Sequence, residues 1–401
     1  MNIWQPLKGI KVLSFELAFA LPAGTRALHD LGAEVVRVTP PGRRTDSYIG
    51  TLDGVFLGKA CISIDLTKTQ GREVAQKLAA KADVVCSNFR PAVLKKYGLG
   101  AEVLRKRHPG LITLQMSGYG TPGPYADYPA FGPSTEAAGG LNRLLVDEGE
   151  VPVRIGSAVF SDQLAGRYAA LAVAAALNRK RLTGKGQALD LSMTAGISHL
   201  LGQPITEALR SGVMPGAPGN RDRRFVPQGV YRCNGDDEWM AISITTQTQW
   251  QTLHSLLDPG LLRRPGLTAD SDRDERWNKH DQIDQALSKL SAQSTKDELA
   301  SYLQRLGVPA VPVRTTADQA QDPNIASRKM LQMVKHRQPI RGSSAHPHPL
   351  LPWRVVGRRR RALRSNHHSG QDNHRVLKSW LAFEARQIKS LEQAGVLHER
   401  I

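Results

Sequence analysis

The sequence predicts an α/β protein in which a large domain with a Rossmann-like parallel sheet is joined to a smaller α+β domain. Over residues 9–116, short apolar strands alternate with helical stretches, which is the pattern of β–α–β units. The strands are continuous apolar runs, as expected where helices bury both faces of a parallel sheet. Hydrophobic residues make up 40% of the 401 residues and aromatic residues only 5%. This balance favours an Ala- and Gly-rich α/β enzyme over a β-sandwich.

The predicted elements follow one another in the order that this fold requires. Strands are predicted at 9–15, 33–38, 60–65, 83–87, 111–116 and 188–193, and helices at 22–31, 70–81, 91–97, 101–107, 161–181 and 194–211, with a Gly/Pro-rich loop at 118–140. A hairpin at 229–244 that turns at Asn234-Gly235 opens the smaller domain, and helices at 247–257 and 294–306 and a strand at 310–313 follow. Beyond 327 no clear period is visible before a final helix at 373–394. We therefore predict a large domain over 1–212, a small domain over 213–326 and a C-terminal segment over 327–401.

The chain is strongly basic, with a net charge of +18, and its densest basic cluster is Arg358–Arg361. Such a charge can serve nucleic-acid binding. However, no aromatic residues interleave with these arginines, and no helix-turn-helix or zinc-finger spacing accompanies them. The sequence therefore argues against a nucleic-acid partner. It favours a solvated basic face, or attraction of anionic substrates that carry phosphates and carboxylates.

The sequence also indicates the compartment. No run approaches the ~20 apolar residues that span a bilayer, so we predict no membrane partner. The first residues lack the apolar core of a signal peptide. Cys61, Cys86 and Cys233 are widely spaced and odd in number, which is typical of free thiols in a reducing compartment. We therefore expect a cytoplasmic protein without a disulfide framework.

Two features suggest a cofactor or a metal, and their surroundings argue against both. Gly118, Gly120 and Gly123 match a dinucleotide-binding pattern, but Pro122 and Pro124 prevent the helix that would hold a pyrophosphate. The histidines of the C-terminal segment lack metal-ligand spacing on a regular element, and no cysteine accompanies them. They are His346, His348, His367, His368 and His374. We predict surface histidines, no metal site and no nicotinamide site.

Asp162 is the strongest candidate for a catalytic residue. It lies where a loop beginning at Gly156 gives way to a long Ala-rich helix that includes Gly166. Small residues around an acid let a bulky substrate approach it, and the N–H groups of a helix start favour its charged form. An ionised, accessible carboxylate can act as a nucleophile. The alternative is that Asp162 only caps the helix.

Ten short segments, each weak alone, form a specific pattern through their order and spacing. The segments are Leu7–Leu13, Leu31–Pro40, Ile64–Leu66, Ser87–Pro91, Tyr97–Leu99, Ser117–Tyr125, Asp162–Gln187, Gly219–Asn220, Gly307–Arg314 and Asp322–Pro323. In this order the chain resembles, over nearly its whole length, the class III CoA-transferases, the family of formyl-CoA:oxalate and carnitine CoA-transferases. The resemblance implies a large domain to which both chain ends contribute. It also implies an intertwined homodimer of two interlocked rings, with crossings at about 200–228 and 315–350.

The resemblance further implies a mechanism and a site. An aspartate at the position of Asp162 attacks an acyl-CoA, and the CoA then moves through an aspartyl-CoA thioester to a small carboxylic acid. CoA is a substrate carrier, and no permanently bound cofactor is expected. Arg37 matches a basic residue that binds the CoA phosphate or ribose. The other implied CoA-site residues are Leu17, Ala18 and Phe19 in the first strand-to-helix turn, Asn88, Phe89 and Arg90 along the cleft, and Tyr125 near the acyl group.

The sequence departs from the family pattern in two places, which leaves alternatives open. The consecutive glycines expected after Gly219-Asn220 are replaced by a segment with Arg221, Arg223 and Arg224, which face either an acyl carboxylate or solvent. This argues against oxalate or formate as a substrate, and a dicarboxylate such as the succinyl group is our prediction. The acid expected after the Pro-Gly-Phe stretch is absent, and the segment from Phe131 to Glu136 replaces it.

Two other functions stay open. The α-methylacyl-CoA racemases share this fold and move the α-proton with a His/Asp pair, yet this chain has no histidine beside Phe131. The other alternative is a basic, non-catalytic binding protein that uses the Arg358–Arg361 cluster.

Overall fold

The computed structural model describes residues 3–41, 53–145, 151–155, 160–213, 219–263, 266–340, 343–365 and 368–399. The chain divides into two compact units. The first unit comprises Met1–Leu145, Pro152–Pro215 and Ser327–Ile401, and the second comprises Val146–Val151 and Gly216–Ala326. The predicted loop residues Gly156–Val159 and His367 lie outside the described residues.

A parallel sheet forms the centre of the first unit. Its strands are β1 (Lys11–Phe15), β2 (Glu34–Thr39), β3 (Ala60–Ser63), β4 (Val84–Ser87), β5 (Ile112–Ser117) and β6 (Ala188–Ser192). They lie in the order β3-β2-β1-β4-β5-β6, and every neighbouring pair is parallel. This is a Rossmann strand order, so the predicted α/β class with a parallel sheet is confirmed.

The helices of this part of the chain connect the strands and follow β6. They are α1 (Ala20–Asp30), α2 (Asp53–Phe56), α3 (Thr69–Lys81), α4 (Pro91–Lys96), α5 (Ala101–Arg107), α6 (Gly132–Ala138), α7 (Phe160–Thr183), α8 (Met193–Leu200) and α9 (Gly202–Ser211). The predicted loop at 118–140 therefore contains a helix, α6. The predicted helix 194–211 is two helices, because Leu201 has the dihedral angles of a cap and not of a helix interior.

The second unit has an antiparallel sheet in the order β7-β8-β9. Its elements are β7 (Gln228–Arg232), β8 (Trp239–Ser243), β9 (Ala310–Pro312), α10 (Gln247–His254), α11 (Pro259–Arg263), α12 (Arg273–Asn278), α13 (His280–Ser291), α14 (Lys296–Arg305), α15 (Thr316–Gln321) and α16 (Pro323–Ser327). Trp250, Ile283 and Leu303 pack in a core of its own. The predicted hairpin is present, but residues 233–238 connect its strands, because the Cys233 N–H bonds to the Glu238 carbonyl over 2.8 Å and closes a wider loop.

The C-terminal segment contains more regular structure than the sequence predicts. Its elements are β10 (Leu331–Ile340), β11 (Ser343–Pro349), α17 (Asn373–Leu381) and α18 (Ala385–Gln393). The pairing of β10 with β11 places His348 opposite Gln332, and His348 is buried, so its prediction as a surface residue is wrong. The predicted helix 373–394 is interrupted at Ala382, whose φ of 55° lies in the left-handed region and ends α17.

Two hydrophobic cores lie on opposite faces of the parallel sheet. Leu13 and Ile62 join residues of α3 and α17 in one core, whereas Val12 and Ile112 join residues of α1 and α7 in the other. Successive strand residues point to opposite faces, so Val12 and Leu13 belong to different cores. The three cysteines are buried free thiols, as predicted. Among the described helices, none has the length and apolar character needed to cross a membrane.

Candidate active site

The candidate site lies at the carboxyl ends of β1 and β4, in the middle of the parallel sheet. Here β1 pairs with β2 on one side and with β4 on the other, so the strand order reverses at this point. The Leu17 N–H donates to Asn88 Oδ1 over 2.9 Å, and Asn88 Nδ2 donates to the Leu17 carbonyl over 2.8 Å. Open α/β sheets bind their ligands in the crevice at such a switch point.

Helix α1 begins directly after this turn and packs closely against α7. A Cβ atom added to Gly24 would lie 2.7 Å from the Gly166 carbonyl oxygen, and one added to Gly166 would lie 2.8 Å from the Ala20 carbonyl oxygen. The two glycines thus let the helix backbones touch. Our prediction that the small residues after Asp162 leave room for a substrate is wrong for Gly166, because α1 fills that room.

This packing brings Asp162 of α7 to the N-terminal end of α1. Asp162 and Gly166 lie on the same face of α7 because they are four residues apart. The Ala20 N–H acts on the Asp162 carboxylate and lowers its pKa. Phe19 is the N-cap residue of α1 and offers no capping side chain, so the N–H groups of the first turn are open to the carboxylate. Asp162 therefore faces the start of α1, while it lies inside the first turn of its own helix.

The second carboxylate oxygen of Asp162 faces α6. Asp162 is only 7% exposed. The carboxylate is therefore buried, whereas we predicted an accessible one. Its Oδ2 accepts no hydrogen bond from any described residue, and a Cβ atom on Gly132 would lie 1.9 Å from it. Ser161 Oγ donates to the Gly132 carbonyl over 2.9 Å and fixes α6 against the start of α7. A buried carboxylate oxygen without a partner is rare in proteins and marks a candidate functional group.

Glu136 of α6 is a second carboxylate at this site. It is fully buried, and its Oε1 accepts the Ser161 N–H over 3.1 Å. The acid that the family pattern places after a Pro-Gly-Phe stretch is absent, as the sequence indicates, but Glu136 of the segment that replaces it carries a charge that acts on Asp162. Helical spacing in the sequence could have indicated Glu136 as a site residue. Gly132 and Glu136 are four residues apart, so they share a face when this segment forms a helix.

Burial and the charge of Glu136 together raise the pKa of Asp162 to about 6. Hydrogen bonds from the backbone N–H groups of Ala20 and of Asp162 itself lower this pKa, as predicted for a helix start. The predicted net direction is nevertheless wrong, because desolvation outweighs these hydrogen bonds. At pH 7 roughly nine-tenths of the Asp162 side chains are still ionised. The site thus holds a charged carboxylate that is more basic than an ordinary aspartate.

A cluster of buried charges lies behind the β1–α1 turn. Glu16 Oε1 is 2.7 Å from Lys59 Nζ and 3.2 Å from Arg37 Nε. Desolvation raises the pKa of Glu16, but the charges of Lys59 and Arg37 outweigh it and the net shift is downward. Burial lowers the pKa of Lys59 to about 8. These contacts tie the end of β1 to β2 and to the residue before β3.

Arg37 belongs to this cluster, although the resemblance implies that it binds CoA. It is 5% exposed, and its guanidinium carbon lies 3.7 Å from the centre of the Phe56 ring. A CoA phosphate can reach Arg37 only if Glu16 or Phe56 moves. The CoA contact of Arg37 therefore stays a prediction, whereas its ion pair with Glu16 is a feature of the structure.

The other predicted CoA-site residues differ in accessibility. Phe19 is buried with Phe56 in a small apolar cluster. Arg90 and Tyr125 are exposed, and the Tyr125 ring lies 5.8 Å from that of Tyr119. Leu17, Ala18, Asn88 and Phe89 are half-buried. The exposed and half-buried residues border the sheet edge or the Gly/Pro-rich loop, and the structure does not bring Phe19 to the surface.

The arginines after Gly219-Asn220 are engaged within the second unit. Arg221 forms ion pairs with Asp281 and Asp284, Arg224 pairs with Asp222, and the Arg223 guanidinium lies 5.1 Å from the Trp277 ring centre. Their charges are thus largely balanced by acids of the same unit.

Two arginines of the Arg358–Arg361 cluster stabilise the backbone. Arg360 donates to the Lys329 carbonyl over 3.0 Å, and Arg361 donates to the His29 carbonyl over 2.7 Å. Two of the four arginines in this cluster therefore have a structural role inside the protein.

The sheet order and the buried carboxylate pair at its switch point define an α/β enzyme with a candidate nucleophile. The family model described as CoA-transferase family III matches residues 7–373. The chain therefore belongs to this family and is a class III CoA-transferase, which confirms the resemblance seen in the sequence.

Individual relatives agree with this assignment. The succinyl-CoA–D-citramalate CoA-transferase of Chloroflexus aurantiacus is 31% identical over 82% of this chain and 83% of the relative. The acetyl-CoA:oxalate CoA-transferase of Acetobacter aceti is 29% identical over 81% of this chain and 85% of the relative. The crystal structure of a CaiB/BaiF family protein from Brucella suis matches with a TM-score of 0.82 and 27% identity, covering 94% of this chain and 99% of that chain.

Proposed function

We propose that the protein transfers CoA from an acyl-CoA thioester to a carboxylic acid through an aspartyl-CoA thioester on Asp162. The observation that supports this most is the position of Asp162: a buried carboxylate, mostly ionised at pH 7, that faces the Ala20 N–H and whose Oδ2 has no partner among the described residues. An unpartnered oxygen in a desolvated site is free to form a covalent bond.

The reaction proceeds in four balanced steps. Asp162 attacks the thioester carbonyl, the carbon–sulfur bond breaks, and an acyl-aspartyl anhydride and CoA thiolate form. The thiolate attacks the aspartyl carbonyl and releases the donor carboxylate, which leaves aspartyl-CoA. The acceptor carboxylate attacks this thioester and expels the thiolate again. The thiolate finally attacks the acceptor carbonyl, which gives the new acyl-CoA and regenerates the Asp162 carboxylate.

The residues around Asp162 fit the charges that develop in these steps. The Ala20 N–H points at the carboxyl group, so it can stabilise the oxyanion that forms when this group is attacked. The negative charge of Glu136 keeps Asp162 basic, which strengthens it as a nucleophile in the first step. We propose that Leu17, Ala18, Asn88, Phe89, Arg90 and Tyr125 border the CoA cleft, and that Arg37 and Phe19 take part only after a rearrangement.

The proposed substrates are an acyl-CoA and a small carboxylic acid, with succinyl-CoA as donor. A relative at 31% identity is named for succinyl-CoA and D-citramalate, which are both dicarboxylate-derived. The net charge of +18 favours approach of polyanionic CoA and of a free carboxylate. Since Arg221 and Arg224 are paired with acids of the second unit and Arg223 lies over the Trp277 ring, we do not assign them to substrate recognition.

We further propose a homodimer of intertwined subunits that works in the cytoplasm. Helix α9 supports this, because none of its residues is buried although Ile205 and Leu209 are apolar, and Leu209 is 83% exposed. Leu171 and Leu182 of α7 are also exposed. Apolar side chains in such positions are typical of a surface covered by a partner. The proposed domains are 1–212, 213–326 and 327–401, with the last returning to the large domain.

The proposal is tested by intact-protein mass spectrometry after mixing with succinyl-CoA. A CoA adduct is expected on the wild-type protein. Borohydride is expected to reduce it and convert Asp162 to homoserine, and hydroxylamine is expected to give a hydroxamate at the same residue. Asp162→Asn should form no adduct, whereas Asp127→Asn, which alters an exposed carboxylate of the Gly/Pro-rich loop, should form it normally.

The outcomes separate the alternatives. An adduct on another residue, or normal turnover by Asp162→Asn, contradicts the proposal. Exchange of the α-proton of a 2-methylacyl-CoA in deuterated water without an adduct would favour the racemase. Salt-sensitive nucleic-acid binding without CoA turnover would favour the basic binding protein.

A further inference from the structure

Asn88 makes two hydrogen bonds to Leu17, one with its side-chain oxygen and one with an N–H of its side-chain amide. Its Oδ1 accepts the Leu17 N–H over 2.9 Å, and its Nδ2 donates to the Leu17 carbonyl over 2.8 Å. The amide thus satisfies the backbone donor and acceptor of Leu17 at once, as a neighbouring strand would. The contact joins the loop after β4 to the turn after β1, across the switch point of the sheet.

The turn held in this way has an unfavourable backbone conformation. Ala18 has a φ of 54°, in the left-handed region that side chains with a Cβ atom rarely adopt. Such a conformation persists only where surrounding contacts hold it. After Ala18 and Phe19, α1 begins with Ala20, whose N–H acts on the Asp162 carboxylate and lowers its pKa. The direction of that N–H therefore depends on the turn.

We propose that Asn88 is a positioning residue that holds the Leu17–Ala18 turn so that the Ala20 N–H meets Asp162. Its expected contact with CoA is then secondary, since its carbonyl oxygen and one N–H are already used. This inference rests on the proposed function of Asp162 as the nucleophile.

Neutral variants test the inference without adding charge near the site. Asn88→Leu keeps the approximate size of the side chain and removes both hydrogen bonds to Leu17. Asn88→Ala replaces it in the experiment if the leucine variant does not fold. Asn178→Leu, on the exposed surface of α7, is the matched control. The charged group that faces Asp162 is Glu136, and it is unchanged in all three.

The first measurement is a carboxyl ¹³C NMR titration of Asp162 in the full-length protein, with Asp162→Asn used to assign the signal. Because the Ala20 N–H lowers the pKa of Asp162, its displacement in Asn88→Leu or Asn88→Ala should raise this pKa above the wild-type value of about 6. The control should keep the wild-type value. An unchanged pKa in both Asn88 variants overturns the inference whether or not the protein forms an adduct.

Steady-state kinetics with succinyl-CoA provide the second measurement. We expect kcat to fall about 10-fold or more and KM for succinyl-CoA to change less than about 3-fold. A rise in KM with normal kcat overturns the inference, because Asn88 would then bind CoA directly. Failure of the wild-type protein to form any adduct contradicts the proposed function instead, and the titration still decides the role of Asn88.

Discussion

Replacing Gly132 by alanine tests the geometry of the nucleophile directly. The new Cβ atom would lie 1.9 Å from Asp162 Oδ2 and 3.1 Å from Asp162 Cγ. Non-bonded heavy atoms need roughly 3.5 Å, so the carboxyl oxygen must move by more than about 1 Å. Helix α7 cannot retreat easily, because Gly166 already contacts the backbone of α1. The carboxylate must therefore turn away from its position.

The expected effect is on catalysis more than on folding. A displacement of about 1 Å at a reacting group can cost about 100-fold in rate, or about 2.7 kcal/mol in activation free energy. Gly132 is the first residue of α6, where alanine stabilises a helix by less than about 1 kcal/mol. We therefore expect a folded Gly132→Ala protein that forms the Asp162 adduct about 100-fold more slowly.

The assay is single-turnover adduct formation with succinyl-CoA, followed by quenched-flow mass spectrometry. Gly123→Ala is the matched control, because a Cβ atom there meets no atom within 4 Å. The control should react at the wild-type rate. A Gly132→Ala protein that reacts within about 3-fold of wild type would refute the argument, since the observed position of Oδ2 would then not matter for attack.

Two further predictions concern the buried carboxylate pair. In Glu136→Gln, loss of a neighbouring negative charge should lower the pKa of Asp162 below about 6, while desolvation keeps it above 3.8; the pH at which adduct formation reaches half its maximal rate should shift down accordingly, and an unshifted profile would show that Glu136 does not act on Asp162. The second prediction concerns Asp162→Asn. Folding raises the pKa of Asp162 from 3.8 to about 6, so the protonated carboxyl stabilises the folded wild-type protein fully below pH 3.8, and this stabilisation is lost as the pH rises through about 6. The variant should therefore be more stable than wild type at pH 7.5, by at most about 3 kcal/mol or about 5 °C in Tm, and the difference should shrink at pH 5. Thermal unfolding at both pH values measures this, and a variant that is less stable at pH 7.5 would contradict the burial argument.

The parallel sheet could be predicted because each of its strands has a characteristic pattern of apolar residues in the local sequence. Mostly apolar runs such as Val12–Phe15 and Val35–Val38, interrupted only by Ser14 and Arg37, each form a strand buried on both faces. The second unit was less predictable, since α12 and α13 lie in a polar, charged stretch whose buried positions include polar residues such as Arg276, His280 and Ser291. The helix break at Ala382 was missed because neither glycine nor proline marks it, whereas Gly202 and Pro204 follow the break at Leu201 and were overlooked.

The candidate site divides in the same way. Asp162 could be singled out from the sequence, because its neighbours and the order of the motifs are local properties of the chain. Glu136, Gly132 and the Ala20 N–H could not be assigned to it, because only the packing of α1, α6 and α7 brings them together.

The sequence alone thus determined the fold class, the family and the identity of the candidate nucleophile. The tertiary structure decided the protonation of Asp162 and the contacts of Arg37. The start of any helix favours a charged carboxylate, and a helix start can be inferred from the local sequence. Desolvation and the charge of Glu136 depend on which segments fold against Asp162, and these long-range terms are larger, so the pKa of Asp162 rises where local reasoning predicted that it falls.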